Sequence, residues 1–530
     1  MRTMDYELPY ASQRSPVHAR NMVATSQPLA AQAGMQMLLA GGNAVDAAMA
    51  MAIALTVVEP TGNGIGSDAF AIVWDGRELH GLNASGYSPA AWTPERFSGA
   101  GKMPGRGWDS VTVPGAVAAW AALSERFGKL PFQKLFEPAV SYARAGFQVS
   151  PIIGKLWGRI AGKYQGQPGF EQAFLPNGRA PRAGELFSNP DLADTLEIIA
   201  ATRGEALYRG ALAEKLIEHS QANGGSMTRD DLASYHVDWC GTISQDIGDV
   251  TVHEIPPNGQ GIATLMALGI LAHTNIRQYA VDSVDAMHLQ IEAMKIAFAD
   301  TALFVADPSA MSLDAQSLLN ASYLKQRATL IDSQVAGEYA CGAPQHGGTV
   351  YMAAADAQGM MVSFIQSNYE GFGSGVVVPG TGISLQNRGM GFCLEPGHAN
   401  LVAPRKRPFH TIIPGFVMKN GQPLMSFGLM GGPMQAQGHL QLVVRTQLFG
   451  QNPQSASDAP RWQVTEGKHL MVESSMPDDI VRGLAARGHL IQKESPEAVF
   501  AFGGAQLIER TSTGYVAGSD HRKDGQAVGF

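Results

Sequence analysis

The chain has 530 residues, enough for several domains of ~150 residues or for one large fold with an extensive core. Hydrophobic residues make up 45% and charged residues only 16%, which with 61 glycines and 30 prolines excludes a disordered chain and a coiled coil. A formal net charge of −8 argues against a nucleic-acid partner, and three cysteines (Cys240, Cys341, Cys393) are too few and too scattered for a disulfide framework or a zinc site.

The first twenty residues lack the apolar stretch of a secretory signal. The longest apolar run, residues 47–58, is shorter than the ~20 residues that span a bilayer, so a cytoplasmic protein with no membrane partner is expected. Residues 30–39 and 44–58 are rich in Ala, Met and Leu and predict two helices, broken by Gly41-Gly42-Asn43 and stopped by Glu59-Pro60. The glycine-rich stretch TGNGIGSDAF follows, then a strand over 69–74 entering an Asp75-Gly76 turn. A third helix is predicted over 116–127, ended by Gly128.

The region from 130 to 335 is mostly helical in pattern, interrupted by GQPGF and LPNGRAPRAG. After a small, turn-prone stretch at 342–348 the texture changes. Strands are predicted over 349–355 and 361–367, joined by Asp356-Ala357-Gln358-Gly359. A second hairpin, 412–419 and 423–427, turns at Asn420-Gly421, and a helix over 434–449 begins just past Gly431-Gly432. Leading helices followed by antiparallel strands fit stacked sheets covered by helices.

Gly64-x-Gly66-x-x-Ala69 matches a dinucleotide fingerprint loosely, but it follows a helix and precedes a strand, the reverse of what that loop requires. There is no P-loop, HExxH, CxxC or GxSxG, and the 14 histidines do not cluster at metal-ligand spacing, so neither a metal nor a cofactor is expected. The informative segment is Gln345-His346-Gly347-Gly348-Thr349-Val350-Tyr351, with Asp356 closing the strand. On its own, Gly-Gly-Thr before a strand is a commonplace turn into a buried element.

Read together with AAQAGMQMLLAGGNAVDAAMAMAIALTVVEPTGNGIGSDAF, GGTVYMAAADAQGMMVSF, GFGSGVVVPGTGISLQNRG, PRKRPFHTIIP, LMGGP and DAPRW, it resembles the gamma-glutamyltranspeptidase family of N-terminal nucleophile hydrolases, from Met22 to about Asp520. The resemblance implies an α+β fold, a four-layer αββα sandwich. It also implies a precursor that cuts itself between Gly348 and Thr349, giving a large subunit (1–348) and a small one (349–530) that form an intertwined heterodimer, itself open to further dimerisation. Thr349 would then carry both a nucleophilic hydroxyl and a free α-amine, whose ordinary pKa of ~7.7–8.0 lets it serve as the base. Gly431 and Gly432 match the family's paired oxyanion glycines, and Ser367 stands where the family places a hydroxyl that bonds the nucleophile.

The departures bear on the substrate. Ser85 occupies the place of the arginine that grips a glutamyl α-carboxylate, and Gly391 that of the aspartate that binds the α-ammonium. The family's paired serines are His410 and Thr411 here, and Arg388 is a new cation in the same segment, able to bind a carboxylate through two parallel bonds. Arg388, His410 and Thr411 are therefore the candidate substrate-binding residues. Their pattern fits a small anionic amide without an amino group, and the run SGVVVPGTGISLQNRG is similar to the branch that includes oxamate amidohydrolase, which cleaves oxamate to oxalate and ammonia in purine-ring nitrogen salvage. Two alternatives stay open: a gamma-glutamyl transferase or glutathione hydrolase with altered anchors, and an unprocessed, inactive relative that acts as a binding protein.

Overall fold

The computed structural model describes residues 13–339 and 348–530. Cys341 and the Gln345-His346-Gly347 part of the junction motif lie outside the described residues. Two seven-stranded sheets stack face to face. The first runs, edge to edge, Gln526–Gly529, Met22–Thr25, Gly348–Ala355, Met361–Tyr369, Asp68–Trp74, Leu79–Ala84 and Asp238–Trp239. The second runs Val17–Ala19, Tyr515–Ser519, Ala505–Arg510, Gln422–Leu429, Gly415–Lys419, Val250–Glu254 and Ile243–Ile247. Every neighbouring pair in both sheets is antiparallel.

The alternation of side chains along each strand builds three apolar layers. Phe70, Ile72, Tyr351, Ala353 and Ile365 of the first sheet meet Phe416, Ile508 and Ala517 of the second between the sheets. The opposite face of the first sheet (Ala71, Val350, Met352, Phe364) packs under helices that include Pro28–Leu39, Ala44–Val58 and Ala116–Phe127. The opposite face of the second (Val252, Met425, Phe427, Leu507) packs under Gly261–Leu271, Val284–Phe304 and Met434–Val443. The result is the expected four-layer αββα sandwich.

Ala44–Val58 is buried along its whole length, which is why its sequence has no polar face. Asn43 and Asp46 cap its start reciprocally, and its first N–H (Ala44) donates to the Asp356 carboxylate at 2.9 Å, tying it to the turn at the end of Gly348–Ala355. The helix expected over 434–449 is α-helical only over Met434–Val443 and continues as a π-helical turn, Val444–Leu448. The middle region is less helical than its pattern implies, because Ile243–Ile247 and Val250–Glu254 form the edge of the second sheet. Among the described residues no helix is long and apolar enough to cross a membrane.

Gly428 lies where the two sheets approach closely. A Cβ there would stand 2.2 Å from Cε2 of Tyr351, whose hydroxyl is hydrogen-bonded to Ser363 at 2.8 Å and cannot easily withdraw. Overpacking of this kind costs about 1–3 kcal/mol. Gly428→Ala should therefore lower the midpoint of thermal unfolding in scanning calorimetry; an unchanged midpoint would show that the sheets separate more readily than this packing implies.

Candidate active site

Thr349 lies one residue into Gly348–Ala355, an inner strand of the first sheet. The ladder slips there: Gly348 pairs with Tyr369, but Val350 already pairs with Gln366. Thr349 shares the alternation of Tyr351 and Ala353 at the end of the inter-sheet layer, and it is 3% exposed. Its Oγ1 donates to Ser367 Oγ at 3.1 Å. It is also 3.4 Å from Gln435 Nε2, whose amide is oriented by the Ile413 N–H donating to Oε1 at 3.0 Å. Ser367 Oγ also accepts from the Tyr369 N–H at 2.8 Å. The Thr61–Gly64 turn closes over the backbone at Thr349, and a Cβ on Gly62 would lie 3.2 Å from the Thr349 carbonyl oxygen.

Gly431 and Gly432 sit at φ of 114° and 61°, conformations that favour glycine, and lead directly into the helix Met434–Val443. Among the described residues neither N–H has a hydrogen-bond partner. Thr349 and Gly431 line a common cavity of about 780 Å³. Thr61 lines it too, with a buried hydroxyl that has no partner among the described residues.

Arg388, His410 and Thr411 converge elsewhere in the same end of the sandwich, and none of them lines that cavity. Arg388 is 1% exposed; its Nη1 donates to Thr411 Oγ1 at 2.8 Å, and its guanidinium carbon lies 4.7 Å from the centre of the Tyr369 ring. Its Nε and Nη2 have no partner among the described residues. Burial lowers the guanidinium to about 10, against the pull of Asp68 and Tyr369. Asp68 is fully buried, and burial raises its carboxyl to about 7 despite the Arg388 charge. His410 is held well below its usual range by burial and then by Arg388, so the ring is neutral. The Ile412 N–H donates to His410 Nδ1 at 3.4 Å, which places the ring proton on Nε2, where it donates to Asp68 at 3.0 Å.

Two glutamines join the clusters. Gln260 Nε2 donates to the carbonyls of Thr411 at 2.6 Å and Gly432 at 2.9 Å, while Gln435 links Thr349 to Ile413. Asp68, Gln260, Tyr369 and Gln435 are absent from the sequence-based site. Asp68 stands in a glycine-rich stretch and meets Ser367 only through cross-strand pairing. Tyr369 had one signal: two residues past Ser367 on the same strand, it faces the same layer. It adopts φ +78°, a conformation uncommon outside glycine.

Ser85 is fully engaged, donating to Asn83 at 2.7 Å while its carbonyl accepts from Arg407 Nε at 3.0 Å. At Gly391 a Cβ would lie 2.5 Å from the Phe409 carbonyl oxygen, so this backbone leaves no room for an aspartate. Possible metal ligands do gather away from the site. His288 and Glu292, one turn apart on Val284–Phe304, meet His489. There Lys295 already sits on Glu292 at 2.5 Å and the two imidazoles bond each other at 2.9 Å, an arrangement of a buried ion pair rather than an open ligand set.

The family model described as Gamma-glutamyltranspeptidase matches residues 30–530. A glutathione hydrolase-like proenzyme of Bacillus subtilis is 36% identical, covering 98% of this chain and 100% of that one. The oxamate amidohydrolase proenzyme of Klebsiella pneumoniae is 34% identical, covering 97% and 99%. The crystal structure of a cephalosporin acylase from Bacillus halodurans superposes with a TM-score of 0.95 at 48% identity, covering 100% of this chain and 99% of that one. The match covers the whole chain, and the two curated relatives are both named as proenzymes. The chain is thus an N-terminal nucleophile hydrolase and belongs to the gamma-glutamyltranspeptidase family.

Proposed function

We propose that the chain cuts itself between Gly348 and Thr349 into subunits of 348 and 182 residues, and that the mature enzyme hydrolyses amides whose acyl half carries a carboxylate. Thr349 Oγ1 attacks the amide carbonyl, and the freed α-amine takes the hydroxyl proton and passes it to the departing amine. The N–H groups of Gly431 and Gly432 receive the oxyanion; one such donor is typically worth ~2.7–4 kcal/mol. Water then hydrolyses the acyl ester, restoring Thr349 and releasing the acid.

The observation that carries this reading is Arg388: buried, charged, and with its Nε–Nη2 edge unpaired among the described residues. That edge is the fork that matches the two oxygens of a carboxylate. His410 and Thr411 hold the arginine's surroundings in place. Oxamate is the smallest amide of this class, giving oxalate and ammonia, and one relative bears that name. A glutamyl zwitterion fits less well, since Ser85 and Gly391 supply neither of its charged contacts. A second reading, an acylase for a larger amide of the same kind, is favoured by the cavity of about 780 Å³, far more than an ammonia leaving group needs.

A substrate screen of the processed protein tests both. Amine release from oxamate or from a glutaryl anilide should exceed that from glutathione and glutamine by roughly tenfold or more in kcat/KM. Preference for glutathione would overturn the carboxylate-acyl reading and favour a gamma-glutamyl enzyme. A single inactive band at 56.2 kDa would leave only the binding-protein alternative.

A further inference from the structure

The cavity in front of Thr349 carries a charge that the acyl anchor does not explain. Four cations line it: Arg106, Arg159, Lys163 and Lys523. Arg106 is neutralised by Glu370 at 3.1 Å. The side chains of the other three form no ion pair or hydrogen bond among the described residues, and the one further carboxylate among the described lining residues, Glu494, accepts from Gln492 at 2.5 Å.

Lys523 is the most constrained of them. It is only 7% exposed, and its stem lies along Gly504, where a Cβ would come within 2.5 Å of Lys523 Cγ. The loop that carries it is locked by a buried network: Asp520 pairs with Arg461 at 2.7 Å and with Arg522 at 3.0 Å, and Arg522 pairs with Glu473 at 2.5 Å. The ammonium stands 5.2 Å from the centre of the Phe500 ring, and Arg159 approaches the same ring at 5.2 Å. The stem is thus buried while the ammonium opens onto the cavity, and a cation held on a cavity wall without a counter-ion attracts an anionic ligand. Glu59 feels the Lys523 charge, but the two form no ion pair among the described residues, and Glu59 Oε2 accepts from Ser26 Oγ at 2.5 Å.

We propose that Lys523, with Arg159 beside it on Phe500, forms an anion subsite for the amine half of the substrate, so that the preferred substrates carry a carboxylate on the leaving amine as well as on the acyl group. This rests on the reading of Thr349 as the nucleophile, because it places the amine half in the cavity that Thr349 lines. Arg388 and Lys523 then read opposite ends of one molecule.

The test uses matched amides of equal size that differ by one charge: the oxalyl and glutaryl amides of 4-aminobenzoate and of 4-aminobenzamide. The wild-type processed enzyme should favour the aminobenzoate member by about tenfold in kcat/KM at low ionic strength, with the preference shrinking as salt is added. Lys523→Met should bring the ratio of the two close to one, and Lys523→Arg should keep most of it, which separates lost charge from a damaged fold. A wild-type ratio of one or less, no turnover of either aminobenzoate amide, or a ratio preserved in Lys523→Met would each overturn the subsite. Failure of the nucleophile reading looks different: Thr349→Ala would then release 4-aminobenzoate as fast as wild type.

Discussion

Thr349→Ala yields a single uncut chain and no measurable amide turnover, with kcat down by at least about four orders of magnitude. Losses of that size follow when the attacking group of a covalent mechanism is removed and only binding and oxyanion contacts remain. The geometry gives a reason to expect both losses together. In the proposed mechanism one hydroxyl, bonded to Ser367 at 3.1 Å and sharing a cavity with Gly431, serves the chain's own Gly348–Thr349 bond and the substrate amide alike. Thr349→Ser keeps the hydroxyl and should retain part of each activity. It loses the β-methyl that restricts the rotamer, so both steps slow. Gel electrophoresis with N-terminal sequencing reads the cut, and amine release reads turnover. Full turnover by an uncut alanine variant would move the nucleophile elsewhere.

Arg388→Ala lowers kcat/KM on carboxylate-bearing amides by roughly ten- to over a hundredfold, since a charge-assisted hydrogen bond is worth ~1.5–3 kcal/mol and 1.36 kcal/mol is one decade. Arg388→Lys recovers little. A lysine reaches neither the Tyr369 ring face nor both oxygens of a carboxylate, and its strongly hydrated ammonium would be placed in a site that is 1% exposed. Appearance of the two subunits on a gel confirms that the variant folds, because self-cleavage needs the assembled sandwich. An alanine variant equal to wild type on oxamate and on a glutaryl anilide would make Arg388 a structural partner of Asp68 and Thr411 only.

Much of the architecture is legible in the chain because local signals and packing agree. Ala44–Val58 and Ala116–Phe127 have the expected bounds, with a capping box at one and Gly128 at the other. The turns at Asp75-Gly76 and Asn420-Gly421 join paired strands as expected. The strand expected over 412–419 starts only at Gly415, since Pro414 cannot donate to a ladder. Ile243–Ile247, the edge strand, and its neighbour Val250–Glu254 are not legible as strands because both are short and carry polar residues on one side. The site divides in the same way. Thr349, Gly431 and Gly432 announce themselves through neighbours in sequence. Asp68, Gln260 and Lys523 acquire meaning only when strands and loops far apart along the chain are brought together, and no spacing rule records that.

The strand order of the first sheet has a further consequence. Met22–Thr25, which precedes the proposed cut, lies between Gln526–Gly529 and the stretch Met352–Ala355, which follow it. Cleavage therefore leaves two polypeptides woven through one hydrogen-bonded ladder. The newborn chain finds its fold as a single molecule. Once cut, any complete unfolding releases two partners that must meet again, at a concentration-dependent rate and against lost translational freedom. Maturation would thus act as a one-way gate: the active form persists because it opens slowly, and its lifetime, more than any equilibrium between folded and unfolded states, would set how long the enzyme works.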